Sequence, residues 1–150
     1  MSRKLITIMT PCYNEELNVR EIHRRVMAMA AEFPEYRFVH LFADNASKDG
    51  TVAVLREMAA EDSSVKVIVN ARNFGPDRSG MHAFLQAEGD AVGSIAADLQ
   101  DPPELFAEMI REWENGFPIV AAIKNASDES GLMYRVRTAY YRLVARLTNV

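Results

Sequence analysis

The chain has 150 residues, of which 49% are hydrophobic and 25% are charged, and its net charge at pH 7 is -4. This length suits a single domain over residues 1–150, and the composition is that of a globular protein, which excludes disordered, collagen-like and fibrous chains. The longest apolar runs fall far short of the ~20 residues that a membrane-spanning helix needs. The acidic balance argues against a nucleic-acid partner.

Cysteine content and the N-terminus bear on the cellular compartment. The single cysteine, Cys12, cannot form an internal disulfide, and the first residues lack the apolar stretch of a secretory signal. Both observations predict a cytoplasmic protein. Residues 131–150 hold four arginines and no acidic side chain. This arginine-rich segment could face the cytoplasmic side of a membrane, or it could be only the solvated face of a helix.

Short apolar runs alternate along the chain with segments of helical period. Strands are predicted at residues 5–10, 37–43, 65–70, 91–97 and 118–123, and their nearly continuous apolar character is typical of a parallel sheet buried on both faces. Helices are predicted after each strand, with apolar stripes over residues 19–33, 52–59, 78–87, 102–113 and 132–147. This order predicts an α/β, Rossmann-like fold with a mostly parallel sheet and helices on both faces.

Ligands bind outside the carboxyl ends of the strands in such sheets, and polar segments follow each of the first four strands. They supply an aromatic ring, several carboxylates and an arginine, which suit a base, a ribose, a diphosphate and a divalent cation. Neither GxGxxG nor GxxxxGK[ST] is present, which argues against hydride transfer and P-loop chemistry. Without a glycine-rich cradle, Mg²⁺ or Mn²⁺ on carboxylates would have to neutralise the diphosphate.

The same four segments read PCYNEE, DNASKDGT, ARNFG and ADLQDPPE. In this order they resemble the family 2 glycosyltransferases, especially the branch similar to dolichol-phosphate mannose synthase, over roughly residues 5–104. The resemblance implies a GT-A nucleotide-sugar-binding fold. It also implies transfer, with inversion, from a nucleotide-diphosphate sugar to a polyprenyl phosphate or another membrane acceptor.

The resemblance also implies roles for individual residues. Pro11, Tyr13 and Glu15 would line the base and ribose, and Asp44 would hold the edge of either group. Arg72 would lie on the nucleotide side. Asp98 would bridge the metal and the diphosphate, and Gln100 would be a neighbouring metal ligand, with Mg²⁺ or Mn²⁺ as the metal.

Two departures from the family pattern limit this interpretation. The first acidic position of the D-x-D signature is Ala96 here. Family members continue beyond the position of Val150 into an acceptor-binding half that holds the catalytic base. We therefore expect the donor-binding part of a longer enzyme, with no catalytic base among residues 1–150. The alternative is a non-catalytic nucleotide-sugar-binding or regulatory module.

Each candidate residue also has a structural interpretation. Asp44, Asp49 and Asp98 could be ordinary turn formers, and Asp101 could cap a helix that begins at Pro102. Tyr13 could simply pack, and Arg72 could pair with a nearby acid. Three histidines, His23, His40 and His82, lack the spacing of metal ligands and are predicted to be structural.

Overall fold

The computed structural model describes residues 3–123 together with residues 138, 140 and 141. The chain divides into two compact units, Met1–Val120 and Ala121–Val150. All elements described below belong to the first unit. The predicted helix at 132–147 and the arginine-rich segment fall almost entirely outside the described residues. The single domain therefore stays a prediction.

Four strands alternate with four helices in the first unit. All strand pairs are parallel, in the order β3-β2-β1-β4, which confirms the predicted α/β fold. No helix in the described part of the chain is long and apolar enough to cross a membrane. The elements are β1 (Leu5–Cys12), α1 (Val19–Ala30), β2 (Arg37–Asp44), α2 (Thr51–Glu61), β3 (Val65–Val69), α3 (Pro76–Gln86), β4 (Ala91–Ser94) and α4 (Leu105–Glu114).

Side chains that alternate along the strands build a separate apolar cluster on each face of the sheet. Ile6, Ile8 and Phe42 lie in the larger cluster, which α1, α2 and α4 cover. Met9 and Leu41 lie in the smaller cluster, to which α3 contributes Ala83. The helices therefore pack on both faces of the sheet, as predicted.

Two predicted elements differ in the structure. Residues 118–123 form no strand: none of the described strands pairs with this apolar run, in which Ile119 is 86% exposed and Ile123 is 81% exposed. Helix α4 begins at Leu105, so Asp101 is not its N-cap. The helix begins later in the sequence than predicted because Pro103 disfavours the helical conformation at Pro102. Residues 102–104 instead form a tight turn, in which the Leu105 N–H donates to the Pro102 carbonyl at 3.2 Å.

Gly93 lets α4 lie close against β4. A Cβ atom at this position would lie 2.5 Å from Cε1 of Phe106 and 3.1 Å from Cδ1 of Ile8. Because Gly93 has no side chain, the Phe106 ring packs directly on the strand. This contact fixes the start of α4, and with it the end of the segment that carries Asp98.

A chain of polar groups crosses the larger cluster and contains the fully buried His40. Nε2 of His40 lies 2.9 Å from the Thr10 hydroxyl, and its Nδ1 lies 3.1 Å from Nδ1 of His23. Nε2 of His23 lies 3.3 Å from the Asp62 carboxylate. A carboxylate only accepts, so the chain is satisfied when Thr10 donates to His40, His40 to His23 and His23 to Asp62. Both rings are then neutral, which agrees with the structural role predicted for these histidines.

The buried ring predicts how stability depends on pH. Burial, with a smaller contribution from His23, lowers the pKa of His40 from 6.5 to about 3. Between these values the unfolded chain binds more protons than the folded chain. The contribution to stability is therefore complete above pH 6.5 and falls on acidification, by up to about 1.4 kcal/mol per pH unit.

Urea unfolding between pH 7.5 and pH 4.5 measures this dependence. We expect His40→Gln to lose part of the acid slope of the unfolding free energy. The control is His82→Gln, which removes an exposed histidine and should keep the slope. Equal slopes in the two variants would show that His40 is not the titrating group.

Candidate active site

The strand order determines where the candidate site lies on the sheet. Strands β1 and β4 are neighbours although the chain visits β2 and β3 between them, and a crevice forms where the order reverses in this way. We call the segments after β1, β2, β3 and β4 loop 1 (residues 13–18), loop 2 (45–50), loop 3 (70–75) and loop 4 (95–104). A cavity of about 360 Å³ lies at these carboxyl ends. It is lined by Pro11, Cys12, Tyr13, Glu15, Asn45, Asn73, Pro76, Ser79, Ala96, Ala97 and Asp98.

The cavity brings together four of the six residues predicted to bind the nucleotide sugar: Pro11, Tyr13, Glu15 and Asp98. Tyr13 is 39% exposed, so its ring is available to a ligand. Three predicted residues lie outside the lining, within the described part of the chain. Asp44 is fully buried at the end of β2, opposite Cys12 in the strand register, whereas Arg72 and Gln100 are exposed. The guanidinium of Arg72 lies 4.8 Å from the centre of the Phe74 ring.

Hydrogen bonds fasten loop 1 to loop 2 and to the start of α2. The Asn14 side chain accepts from the Lys48 N–H at 2.8 Å, and the Asn14 N–H donates to the Ser47 hydroxyl at 2.8 Å. The Glu15 N–H donates to the Thr51 hydroxyl, also at 2.8 Å. That hydroxyl donates to Asp49 at 2.5 Å, which agrees with the turn-forming role considered for Asp49. Several residues of the PCYNEE and DNASKDGT motifs therefore hold loops 1 and 2 together.

Asp44 has one oxygen in use and one without a partner. Its Oδ2 accepts from the Ser47 N–H at 3.0 Å, but its Oδ1 is buried without a hydrogen bond within the described residues. A buried acceptor left unpaired is costly, which is typical of a site that meets its partner in a ligand. The thiol of the adjacent Cys12 is buried. Burial, and then the charges of Asp44, Glu15 and Asp49, raise the pKa of its thiol to about 12.

Sequence analysis missed the amide side chains on the β2–β3 side of the cavity. Asn45 Oδ1 accepts from the Phe74 N–H at 3.0 Å and from Asn70 at 3.3 Å, and Asn45 Nδ2 donates to Asn73 at 3.1 Å. Asn70 also donates to the hydroxyl of Ser79, at 2.8 Å. One signal was present, since asparagines at the ends of adjacent predicted strands are suited to bonding nearby backbone.

Each of the four loops contains a residue with left-handed backbone. The φ angles are 59° at Asn14, 62° at Ala46, 82° at Gly75 and 59° at Leu99. Alanine and leucine adopt this conformation at a cost of roughly 1–2 kcal/mol each. Such residues concentrate at functional sites, where the surrounding structure holds them.

The carboxylate of Asp98 fits a metal that arrives with its ligand. Within the described residues, no group of three or more carboxylate, imidazole or thiol side chains could hold a metal ion. Mg²⁺ is commonly held by one or two carboxylates, with substrate phosphates and water completing the shell. Asp98 can supply one carboxylate at the cavity, where its Oδ1 accepts from the Gln100 N–H at 3.2 Å. The Gln100 backbone therefore helps to orient Asp98.

Comparison with known proteins identifies the family. The family described as Glycosyl transferase family 2 matches residues 7–149. The chain belongs to this family. YkcC of Bacillus subtilis (strain 168), named an uncharacterized glycosyltransferase, is 36% identical over 100% of this chain and 47% of its own length. Undecaprenyl-phosphate 4-deoxy-4-formamido-L-arabinose transferase of Pseudomonas fluorescens (strain SBW25) is 33% identical over 97% of this chain and 40% of its own length. The predicted resemblance to family 2 and its polyprenyl-phosphate branch is confirmed.

Solved structures show the same fold. The mannosyltransferase PcManGT from Pyrobaculum calidifontis, in complex with GDP-Man and Mn²⁺, matches with a TM-score of 0.58 and 23% identity over 73% of this chain and 32% of its own. TarS 1-349 of S. aureus, in complex with UDP-GlcNAc, matches with a TM-score of 0.59 and 20% identity over 83% of this chain and 38% of its own. The chain spans about half the length, or less, of the curated relatives named above.

The contact between loop 1 and α2 generates a prediction about Thr51, which is fully buried. Thr51→Val keeps the shape of the side chain but leaves the Glu15 N–H without its acceptor. We expect the unfolding free energy to fall by about 1–3 kcal/mol in urea denaturation. Thr51→Ser keeps the hydroxyl and should lose much less. Equal losses in the two variants would assign the effect to packing of the methyl group.

Proposed function

We propose that this chain is the donor-binding part of a glycosyltransferase that takes a sugar from a nucleotide-diphosphate sugar. The observation that carries the proposal is the meeting of Pro11, Tyr13 and Glu15 with Asp98 in one cavity at the carboxyl ends of the strands. These residues come from the PCYNEE and ADLQDPPE motifs, which lie more than eighty positions apart in the sequence.

The cavity suggests how the donor lies. Tyr13 and Pro11 offer an aromatic and an aliphatic surface for the base, and Glu15 offers a carboxylate for ribose hydroxyls. For Asp44 to hold an N–H of the base or a hydroxyl of the ribose, loop 2 must shift on binding, because its unpaired oxygen is buried and lies outside the cavity lining in the described residues. Arg72 would approach from the exposed side of loop 3.

The diphosphate would lie near Asp98, which would hold Mg²⁺ or Mn²⁺ together with it, with Gln100 beside them. When bound, this metal would offset the negative charge that develops on the departing diphosphate. Asp98 would orient the metal and, through it, the diphosphate of the donor. The Gln100 N–H orients Asp98.

We further propose a polyprenyl phosphate as acceptor and inversion at the anomeric carbon. The name of the Pseudomonas relative supports this acceptor class. A phosphate oxygen would attack from the side opposite the diphosphate, forming the new C–O bond as the old one breaks. Because the acceptor is already ionised, in-line positioning contributes more than deprotonation. Such an acceptor would bring the protein to the cytoplasmic face of a membrane.

The metal prediction tests this proposal at Asp98. Calorimetry with UDP and with GDP should show tighter binding in Mn²⁺ than in chelator for the nucleotide that fits. Asp98→Asn should remove most of that difference, on the order of 1–3 kcal/mol for one charge-assisted contact. Glu112→Gln, which removes an exposed carboxylate on α4, should keep it. Equal affinity of the unsubstituted protein in metal and in chelator would overturn the metal assignment.

The substitution at Ala96, which lines the cavity, favours the second candidate, a non-catalytic nucleotide-sugar-binding module. No residue among 1–150 is predicted to be the catalytic base. We expect this chain to bind donor but to transfer radiolabelled sugar to undecaprenyl phosphate no faster than a blank. Rapid glycolipid formation would place the acceptor site within these residues. The same assay on a longer form of the protein separates the two candidates, because a module would stay inactive.

A further inference from the structure

An ion pair ties the end of loop 4 to α1. Arg25 of α1 donates through Nε to Glu104 Oε1 at 2.9 Å and through its terminal nitrogen to Oε2 at 2.5 Å. The two residues are 79 positions apart in the sequence. Two parallel bonds between a guanidinium and a carboxylate fix both distance and orientation. The pair therefore acts as a long-range anchor at the point where loop 4 joins α4.

This anchor differs from an ordinary surface ion pair. Exposed pairs contribute little unless their geometry is bidentate. The Arg25 side chain is only 25% exposed, although that of Glu104 is 56% exposed. The hydrogen bonds from Arg25 lower the pKa of Glu104, so the carboxylate is fully charged at neutral pH. Both conditions favour a formed pair.

Loop 4 needs such a constraint because little of it belongs to the sheet. The β4 ladder ends at Ser94, and the Ile95 N–H makes the last bond to β1, with the Met9 carbonyl at 3.0 Å. Asp98 is exposed, although Ala97 before it is buried in the larger cluster and Leu99 after it packs against that cluster with left-handed backbone. Beyond Leu99, the fully buried Pro103 and the Glu104 carboxylate hold the loop.

We propose that Arg25 is a positioning residue, which acts through Glu104 to hold Asp98 at the cavity and so sets the metal-dependent part of nucleotide diphosphate binding. This inference rests on the proposed function. Neither residue touches the cavity, since both lie outside its lining in the described part of the chain. Arg25 acts on the diphosphate side, whereas the base side is held by the bonds between loops 1 and 2.

The adjacent residue supplies a matched control. Arg24 makes the same kind of bidentate pair with Glu21, with both distances 2.7 Å. That pair lies within α1, and the charge of Arg24 contributes less than Arg25 to lowering the pKa of Glu104. Arg24→Met and Arg25→Met therefore remove the same charge and the same number of hydrogen bonds from neighbouring positions of one helix.

The test compares nucleotide affinity in Mn²⁺ and in chelator, using UDP and GDP as probes. Arg25→Met should reduce the ratio of the two affinities roughly three- to tenfold, the scale of a well-formed pair. Arg24→Met should reduce it much less, because the hydrogen bonds of Arg24 go to Glu21. Arg25→Lys should restore only part of it, because lysine cannot make the bidentate contact. The charge exchange R25E/E104R should restore most of it. A merely structural role would lower stability without changing this ratio.

Hydrogen exchange of the loop 4 amides, measured without nucleotide, tests whether Arg25 holds loop 4. The affinity ratio tests whether this contact affects nucleotide binding. Faster exchange in Arg25→Met than in Arg24→Met supports the anchor, whatever the nucleotide result. If the unsubstituted protein binds neither nucleotide in a metal-dependent way, the proposed function fails while exchange still tests the anchor. An equal affinity ratio in the two variants would overturn the role of Arg25 in metal-dependent binding, and equal exchange as well would overturn the anchor itself.

Discussion

Strand β1 is hydrogen-bonded along both of its edges, and the candidate site depends on this position. It pairs with β2 over eight residues and with β4 over four, in parallel in both cases. The carboxyl ends of three strands therefore lie side by side. The chain moves to β2 and β3 on one side of β1 and returns to β4 on the other. Loop 1 therefore lies between loop 2 and loop 4, at the point where the strand order reverses.

The four loops around this position are held by different means. Loops 1 and 2 are fastened by several short bonds between side chains and backbone, such as those made by Asn14 and Thr51. Loop 3 is held by the amide network around Asn45. Loop 4 is held by packing at Ala97, Leu99 and Pro103 and by the Arg25 pair. The contacts that fix the loops that would hold the base are therefore different from those that fix the loop that would hold the diphosphate.

The sequence contained much of the fold, because a strand buried on both faces leaves a continuous apolar run and an amphipathic helix leaves a periodic one. It also placed Tyr13 and Asp98 correctly at one edge of the sheet. An apolar run alone could not show that residues 118–123 lack a strand partner. The capping pattern at Asp101 did not reveal that the adjacent Pro102 and Pro103 move the start of α4 to Leu105. The Arg25–Glu104 contact has no local signature, since it depends on how α1 and α4 pack.

The alternation of β1 limits how this chain can change in evolution. Ile6 and Ile8 face the cluster covered by three helices, whereas Thr7 and Met9 face the side covered by α3. Inserting one residue early in β1 would exchange the two sets, sending isoleucines to the smaller cluster and breaking the bond between Thr10 and His40. An insertion is easier to accommodate at the exposed Pro34 and Glu35, in the turn before β2. The turn before β4 has no such freedom, because a Cβ atom at Gly89 would lie 2.8 Å from the Leu5 carbonyl oxygen.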